Sequence, residues 1–292
     1  MSEFVTPEGA PTARARRRYP PLLVIASLTF LAVIVAVFAL ADLLAPFDYR
    51  AQALRNRLAP PVFLGGNWAS LLGTDELGRD IFSRLLFAIR FSLLAAFGGT
   101  VIGALIGTTL GFVAAHFRGA VEETIVMLAD VQASLPFMLI ALSLIAVFGS
   151  SFLLFVIIMG FYGWETFARL TRGAVLSTMG QGYAQAVTAL GAKPSHVYLR
   201  HILPNIFGVL IVQFTLNFPQ VILLEASLSF LGLGIRPPLT SLGQMLGAGR
   251  AYLTSAWWIA VIPGLVIFLT TVSISIIGDW LRDRFDPTLR NI

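Results

Sequence analysis

Along its 292 residues the chain alternates long apolar runs with short polar interruptions. The first run, residues 22–41, is about 20 residues long, enough for a helix to cross a hydrocarbon core of ~30 Å. Five more runs follow, at about 91–115, 123–148, 152–167, 206–231 and 257–277. The pattern predicts an all-α membrane protein with six transmembrane helices. The second run carries Gly98, Gly99, Gly103, Gly107 and Gly111, which include a ladder at every fourth residue. That spacing puts small residues on one helical face, where another helix can pack closely. The third run contains Asp130, Gln132 and Pro136. The fourth is short, with Trp164 and Glu165 near its cytoplasmic end. The fifth contains Gln213, Asn217, Pro219 and Glu225.

The polar interruptions divide the chain into a basic N-terminus (1–21), the first helix (22–41), a long loop (42–90), a five-helix core (91–278) and a charged tail from Asp279 (279–292). Within the core, residues 169–205 have a pattern of their own. Tyr183 to Leu190 favours helix. Gly191 fits the position after a helix C-cap, where a residue without Cβ turns left-handed at little cost. Pro194 fits the first turn of a second helix, which is expected to stop before Pro204. Helix, glycine turn, helix and proline stop make either a compact surface knob or an amphipathic loop on the lipid headgroups. In the loop 42–90, Asp75, Glu76 and Asp80 offer oxygens, but their spacing matches no EF-hand and Arg79 stands among them. A turn is the better reading, with Thr74 or Asp75 capping the helix that follows.

Composition sharpens this picture. Hydrophobic residues make up 57% of the chain and charged residues 12%, against roughly 25% charged in soluble domains. Mean hydropathy is +0.83. The net charge of +5 fits basic loops beside a bilayer and gives no reason to invoke nucleic acid. A basic end before an apolar run is also the outline of a secretory signal. The first run is too long for one and lacks a clean small-residue cleavage site, so it reads as an uncleaved span. With the cluster Arg14, Arg16, Arg17 and Arg18 inside, twelve of the 20 lysines and arginines fall in inside segments. The sign of that bias predicts cytoplasmic termini and a cytoplasmic loop 169–205, with 42–90 and 232–256 external.

Candidate chemistry is sparse. The chain has no cysteine. Its histidines, His116, His196 and His201, fall at or beyond membrane ends, so neither a metal site nor catalysis is assigned. The single lysine, Lys193, precedes Pro194, so there is no Gly-Lys-Ser/Thr loop to hold ATP phosphates. Ionisable groups inside a membrane are costly and mark functional candidates, here Asp130 and Glu225; interhelical hydrogen bonding is their alternative role. Gln213 and Asn217, four apart on one helical face, are candidates to line a path or to join helices.

Residues 169–205 resemble the cytoplasmic coupling loop of ATP-binding-cassette importer permeases. Gly191 and Pro204 keep that family's spacing of thirteen, and His201-Ile202-Leu203-Pro204-Asn205 resembles the closing segment of the peptide-importer branch. The family's opening Glu-Ala-Ala is Gln185-Ala186-Val187 here, which removes a possible charge contact but keeps the small Ala186. The run Leu72-Gly73-Thr74-Asp75-Glu76-Leu77-Gly78-Arg79-Asp80 is similar to the segment before the second span of dipeptide and oligopeptide permeases. Glu225 to Gly234 with Pro237-Pro238, and Gly278 to Asp283 with Asp286-Pro287, continue the likeness over residues 20–290. The resemblance implies a type I importer permease fold with cytoplasmic coupling helices, in the inner membrane. It implies ATPase coupling through Gln185, Ala186, Val187, Gly191 and Pro204. The implied partners are a homologous second permease, two ATPase subunits that use Mg-ATP, an extracytoplasmic solute-binding protein and membrane lipid; no cofactor is implied for this chain. The implied cargo is di- or oligopeptides or similar solutes. A stand-alone carrier or intramembrane enzyme is the competing class, and it lacks a nucleophile or carboxylate relay at depth.

Overall fold

A computed structural model describes residues 21–149 and 151–285. The N-terminal arginines through Arg18, Asp286-Pro287 and Arg290 lie outside them. Among the described residues the chain is helical throughout, with no strand beyond one isolated Thr74–Asp80 pairing that closes a turn. Helices satisfy every backbone group internally, which a chain in lipid requires. The elements are α1 (Leu22–Leu44), α2 (Ile81–Phe117), α3 (Gly119–Ser134), α4 (Phe137–Phe148), α5 (Phe152–Gly160), α6 (Trp164–Met179), α7 (Gly182–Ala189), α8 (Pro194–His196), α9 (Leu203–Phe230), α10 (Leu242–Gly249) and α11 (Trp258–Phe285). Five helical runs are long and apolar enough to span: Leu22–Leu44, Ile81–Phe117, Phe152–Met179, Pro194–Phe230 and Trp258–Arg284. The bent pair α3–α4 makes a sixth when its two helices are counted as one span.

α2, 37 residues and so about 55 Å long, is the axis of the bundle. Its glycine ladder lies against α5 and α6. A Cβ on Gly107 would come within 2.2 Å of the Trp164 carbonyl oxygen and 2.6 Å of Phe167 Cβ, so α2 and α6 meet nearly backbone to backbone. α9 and α11 pack on each other and on the opposite side of the core, with α10 wedged between them. Ile81, Ala88, Met159, Val221, Leu228 and Ile259 are among the residues that fill the shared interior. α1 rests on α2 and α11 and leaves Leu22, Val33, Val35 and Leu43 on the surface, as a lipid-facing helix would.

Several boundaries differ from expectation, each for a physical reason. α2 begins at Ile81, not near 91, and its cap is Asp80, whose carboxylate accepts the Ser83 N–H at 2.8 Å. Thr74 and Asp75 are otherwise engaged: Thr74 Oγ1 accepts the Ala59 N–H, and Asp75 is the hub of the preceding turn. The loop 42–90 therefore ends ten residues early. The polar residues of the first turns of α2 are tolerated because Arg84 pairs with buried Asp75 and Arg90 with Asp42. The third crossing is broken. Leu135, held extended ahead of Pro136, separates α3 from α4 at an angle of 92°.

The fourth crossing is longer than expected. After a break at 161–163, where Gly163 has φ +84°, it continues as α6 to Met179, so residues 169–179 belong to a helix and the polar loop is shorter than 169–205. Arg169 and Arg172 remain in that helix because Asp130 and Glu122 of α3 face them. Pro204 does not stop the second short helix either. Leu203 is helical (φ −54°, ψ −45°), and the run continues from Pro194 to Phe230. The turn before it, Val197–Ile202, is a widened π turn; the extra residue per turn relieves the clash a proline ring makes with the carbonyl four positions back. The segment 232–256 contains α10, and α11 carries Asp279 to Arg284 in its last turns, so the charged tail starts as helix.

Candidate functional site

The polar knob is built on the end of α6. After Met179 the chain turns, Gln181 precedes α7, and the Ala184 N–H bonds the Gln181 carbonyl at 3.1 Å. A helix of eight residues is marginal by itself, so tertiary contacts hold it. Val187 and Ala192 lean on a small apolar cluster formed by Ala115, Val175, Val197, Ile202 and Ile206. The Asn205 amide donates to the Tyr183 hydroxyl at 2.7 Å and to the His201 carbonyl at 2.8 Å. The foot of α2 joins in: Tyr198 Oη lies 3.0 Å from His116 Nδ1, and its ring stands edge-on to Phe112 at 5.6 Å.

Gly191 closes α7. Its φ is +80°, its N–H bonds the Thr188 carbonyl at 3.0 Å, and the Ala192 N–H reaches the Val187 carbonyl at 3.4 Å. These are the two bonds of a Schellman cap. Around this turn Gln185, Ala186, Gly191 and Pro204 are exposed, while Val187 is partly buried and supports the knob from below. Leu190, 87% exposed at the tip, was not among the residues singled out from sequence. The available signal was a large apolar residue directly before a C′ glycine, in a segment otherwise facing water. The knob thus presents a small-residue face and one apolar tip on a braced support, a shape suited to docking.

The residues proposed for a path are not gathered in one place. Gln213 is half-buried on α9. Asn217, 3% exposed, is wedged into the α5–α6 break, where a Cβ on Gly163 would lie 2.3 Å from its Nδ2. Glu225 is fully buried toward the other end of α9, accepting a hydrogen bond from Ser229 Oγ at 2.7 Å. Asp130, with a side chain 62% exposed, pairs with Arg169 at 2.8 Å. Asp130 and Glu225 share no hydrogen-bond partner. Gln132 and Glu165, given no role in the sequence reading, meet at 3.2 Å. Gln132 also accepts from Trp164 Nε1 and donates to the Phe161 carbonyl. In the turn before α2, Asp75 accepts the N–H groups of Leu77 (2.8 Å) and Arg79 (2.9 Å), the Arg79 guanidinium at 2.7 Å, and Arg84. Its oxygens are thus taken up by protein donors.

Apolar crossings packed on a glycine ladder, with a braced polar knob at one end, define a multi-helix membrane protein. The family of binding-protein-dependent transport system inner membrane components matches residues 107–291, and the chain belongs to it. It is 39% identical over 265 residues to the di/tripeptide transport system permease protein DppC of Pseudomonas aeruginosa, covering 90% of this chain and 88% of that one. It is 36% identical over 262 residues to the glutathione transport system permease protein GsiD of Pectobacterium atrosepticum, covering 90% and 86%. Its fold is similar to the inward-facing MetNI methionine ABC transporter, with a TM-score of 0.57 at 18% identity over 69% of this chain and 96% of that one.

Proposed function

We propose that the chain is one of two permease subunits of an ATP-driven importer in the inner membrane, carrying di- or oligopeptides or closely related solutes. The observation that carries this reading is the knob: a short helix closed by left-handed Gly191, with Ala186 and Leu190 outward and a braced second arm beneath. In this reading the knob faces the cytoplasm and fits a cleft on an ATPase subunit. Gln185, Ala186, Gly191 and Pro204 lie at the contact, and Val187 holds its geometry. ATP-Mg is bound and hydrolysed by two such partners, which suits a chain with no phosphate-binding loop. Drawing the ATPases together moves both knobs, and α6 and α9, continuous with the knob at either end, carry the motion into the membrane.

The second permease would cover the α3–α4 arm. Met127, Leu128, Val131, Leu135, Met138 and Leu139 are exposed there, an apolar face of the kind that a second helical subunit or lipid covers. An extracytoplasmic binding protein would deliver solute to the opposite side, where the 42–80 segment and α10 lie. Gln213, half-buried, remains the proposed path-facing amide of α9, and Asn217, buried at the α5–α6 break, would reach the path only where that break opens. The peptide class rests on the di/tripeptide and glutathione permeases to which the chain is similar.

Orientation is the first test. Ser195→Cys, in a chain with no native cysteine, should resist an impermeant thiol reagent in intact cells and react in inverted vesicles. Labelling in intact cells would place the knob outside and end the reading. Affinity purification should then recover two ATPase chains with this one, and the reconstituted complex should take up a labelled dipeptide only with ATP.

A further inference from the structure

The extension of the fourth crossing changes where one carboxylate sits. The crossing runs from Phe152 to Met179, and Glu165 is the fourteenth of its 28 residues. It stands midway along that helical run, just past the α5–α6 break, with helix on both sides of it. A carboxylate beside a break in an apolar helical run, with no cation paired to it, marks a point where a charged solute can be held. Its neighbours on the α3–α6 seam are neutralised: Arg172 faces Glu122, and Arg169 faces Asp130. Among the described residues Glu165 makes no ion pair; its hydrogen-bond donors are Gln132 Nε2 and Thr166 Oγ1, both at 3.2 Å.

The surroundings are those of a binding point. Two helix breaks come together here, the α3–α4 break at 135–136 and the α5–α6 break at 161–163. Gln132, in the last turn of α3, reaches across to the Phe161 carbonyl, to Trp164 and to Glu165. Phe137, at the start of α4, sets its ring edge-on to Tyr162 at 5.1 Å. Beside the same break, Asn217 is 3% exposed and its Oδ1 has no hydrogen-bond partner. Interrupted helices are one way in which membrane transporters offer backbone and side-chain groups to a charged solute. Glu165 itself is only half-buried, whereas the adjacent Trp164 is buried.

We infer that Glu165 is the point in the path at which this chain holds a cationic amino group of its solute, such as the free amine of a short peptide. This rests on the peptide-import reading above. A carboxylate without a resident cation attracts an ammonium group through a charge-assisted hydrogen bond, which strengthens away from water. The Asn217 Oδ1 offers a further acceptor beside the same break. A purely structural Glu165 would bridge to Gln132 just as well as a neutral amide.

The test uses the whole complex in proteoliposomes: this chain, its partner permease, the ATPases and the binding protein, with labelled Ala-Ala as solute. Glu165→Gln keeps the size and the Gln132 contact but removes the charge. Uptake should fall roughly tenfold or more, with assembly and ATPase activity retained, while Glu165→Asp should keep most of it. Independently, Glu165→Cys should form a disulfide with a dipeptide bearing an activated cysteine at its N-terminus during ATP turnover, using partner chains stripped of cysteine. Val35→Cys, on the lipid-facing side of α1, should not. Wild-type uptake by Glu165→Gln overturns the inference, and so does equal loss in Glu165→Gln and Glu165→Asp without a disulfide. A wild-type complex that takes up no dipeptide overturns the functional reading, and the inference with it.

Discussion

Gly191 offers the sharpest perturbation of the knob because its surroundings isolate one effect. Its φ is +80°, and a Cβ built there meets nothing within 4 Å. A side chain at this position therefore encounters no steric wall, and the penalty is conformational. Holding an L-residue in the left-handed region costs about 1–2 kcal/mol, and β-branching makes it worse. The backbone can avoid that strain only by giving up the Gly191–Thr188 and Ala192–Val187 bonds, each contributing about 0.5–1.5 kcal/mol. Either way Gly191→Val disfavours the observed knob by about 2 kcal/mol, and every 1.4 kcal/mol is about tenfold in population. Gly191→Asn, which tolerates the left-handed region, should be mild, and Gly191→Ala intermediate. The assay is dipeptide uptake measured beside membrane insertion and ATPase co-purification. Uptake should rank Gly, Asn, Ala, Val, with insertion unchanged because the residue lies outside the crossings. Wild-type uptake by Gly191→Val would mean the knob's geometry does not matter and that the loop is only a connector.

Two further predictions concern the scaffold. Asp75→Asn leaves Arg84 buried without its carboxylate and should destabilise the protein by about 3–5 kcal/mol, seen as a lower Tm in detergent, whereas Glu76→Gln, at the rim of the same turn, should cost less than about 1 kcal/mol; equal effects would show that the buried pair is not the keystone of the segment. Gly107→Val forces a side chain into the Trp164 carbonyl, so it should prevent α2 and α6 from seating and abolish stable expression; normal accumulation would mean the two helices do not meet as closely as described.

The apolar runs and the turn at Gly191 were legible in the sequence because both follow from local chemistry. Twenty apolar residues need a helix in lipid, and a glycine after a helix-favouring stretch needs nothing else to turn. The ladder from Gly99 to Gly111 pointed to close packing, although not to which helix. Boundaries failed where distant residues changed the local balance. Arg169 and Arg172 read as the start of a polar loop until Asp130 and Glu122, some 40 to 50 residues earlier in the chain, are seen to face them. The same pairing accompanies the extension of α6 to Met179, which leaves Glu165 midway along a helical run and not at its end. Pro204 read as a stop because the widened turn ahead of it has no sequence signature. Thr74 and Asp75 were plausible caps on local grounds, but four arginine and amide donors claimed Asp75, and Asp80 took the helix. Gln132 looked like an ordinary membrane amide because its partners belong to another crossing, and Leu190 looked like one more apolar residue until it stood alone at the tip.

The central claim is that this knob is where ATP hydrolysis by another chain enters the permease. The chain's lack of cysteine makes a direct measurement possible. Ala186→Cys, exposed on the outer face of α7, is expressed with the full complex and treated with a short bifunctional thiol cross-linker, with single cysteines placed in turn around the ATPase cleft. The expected result is a cross-linked band joining this chain to an ATPase subunit, formed in complexes that still take up dipeptide with ATP, and lost with Gly191→Val in the same chain. ATP-driven uptake by a complex in which no ATPase cysteine ever reaches Ala186→Cys would contradict the account.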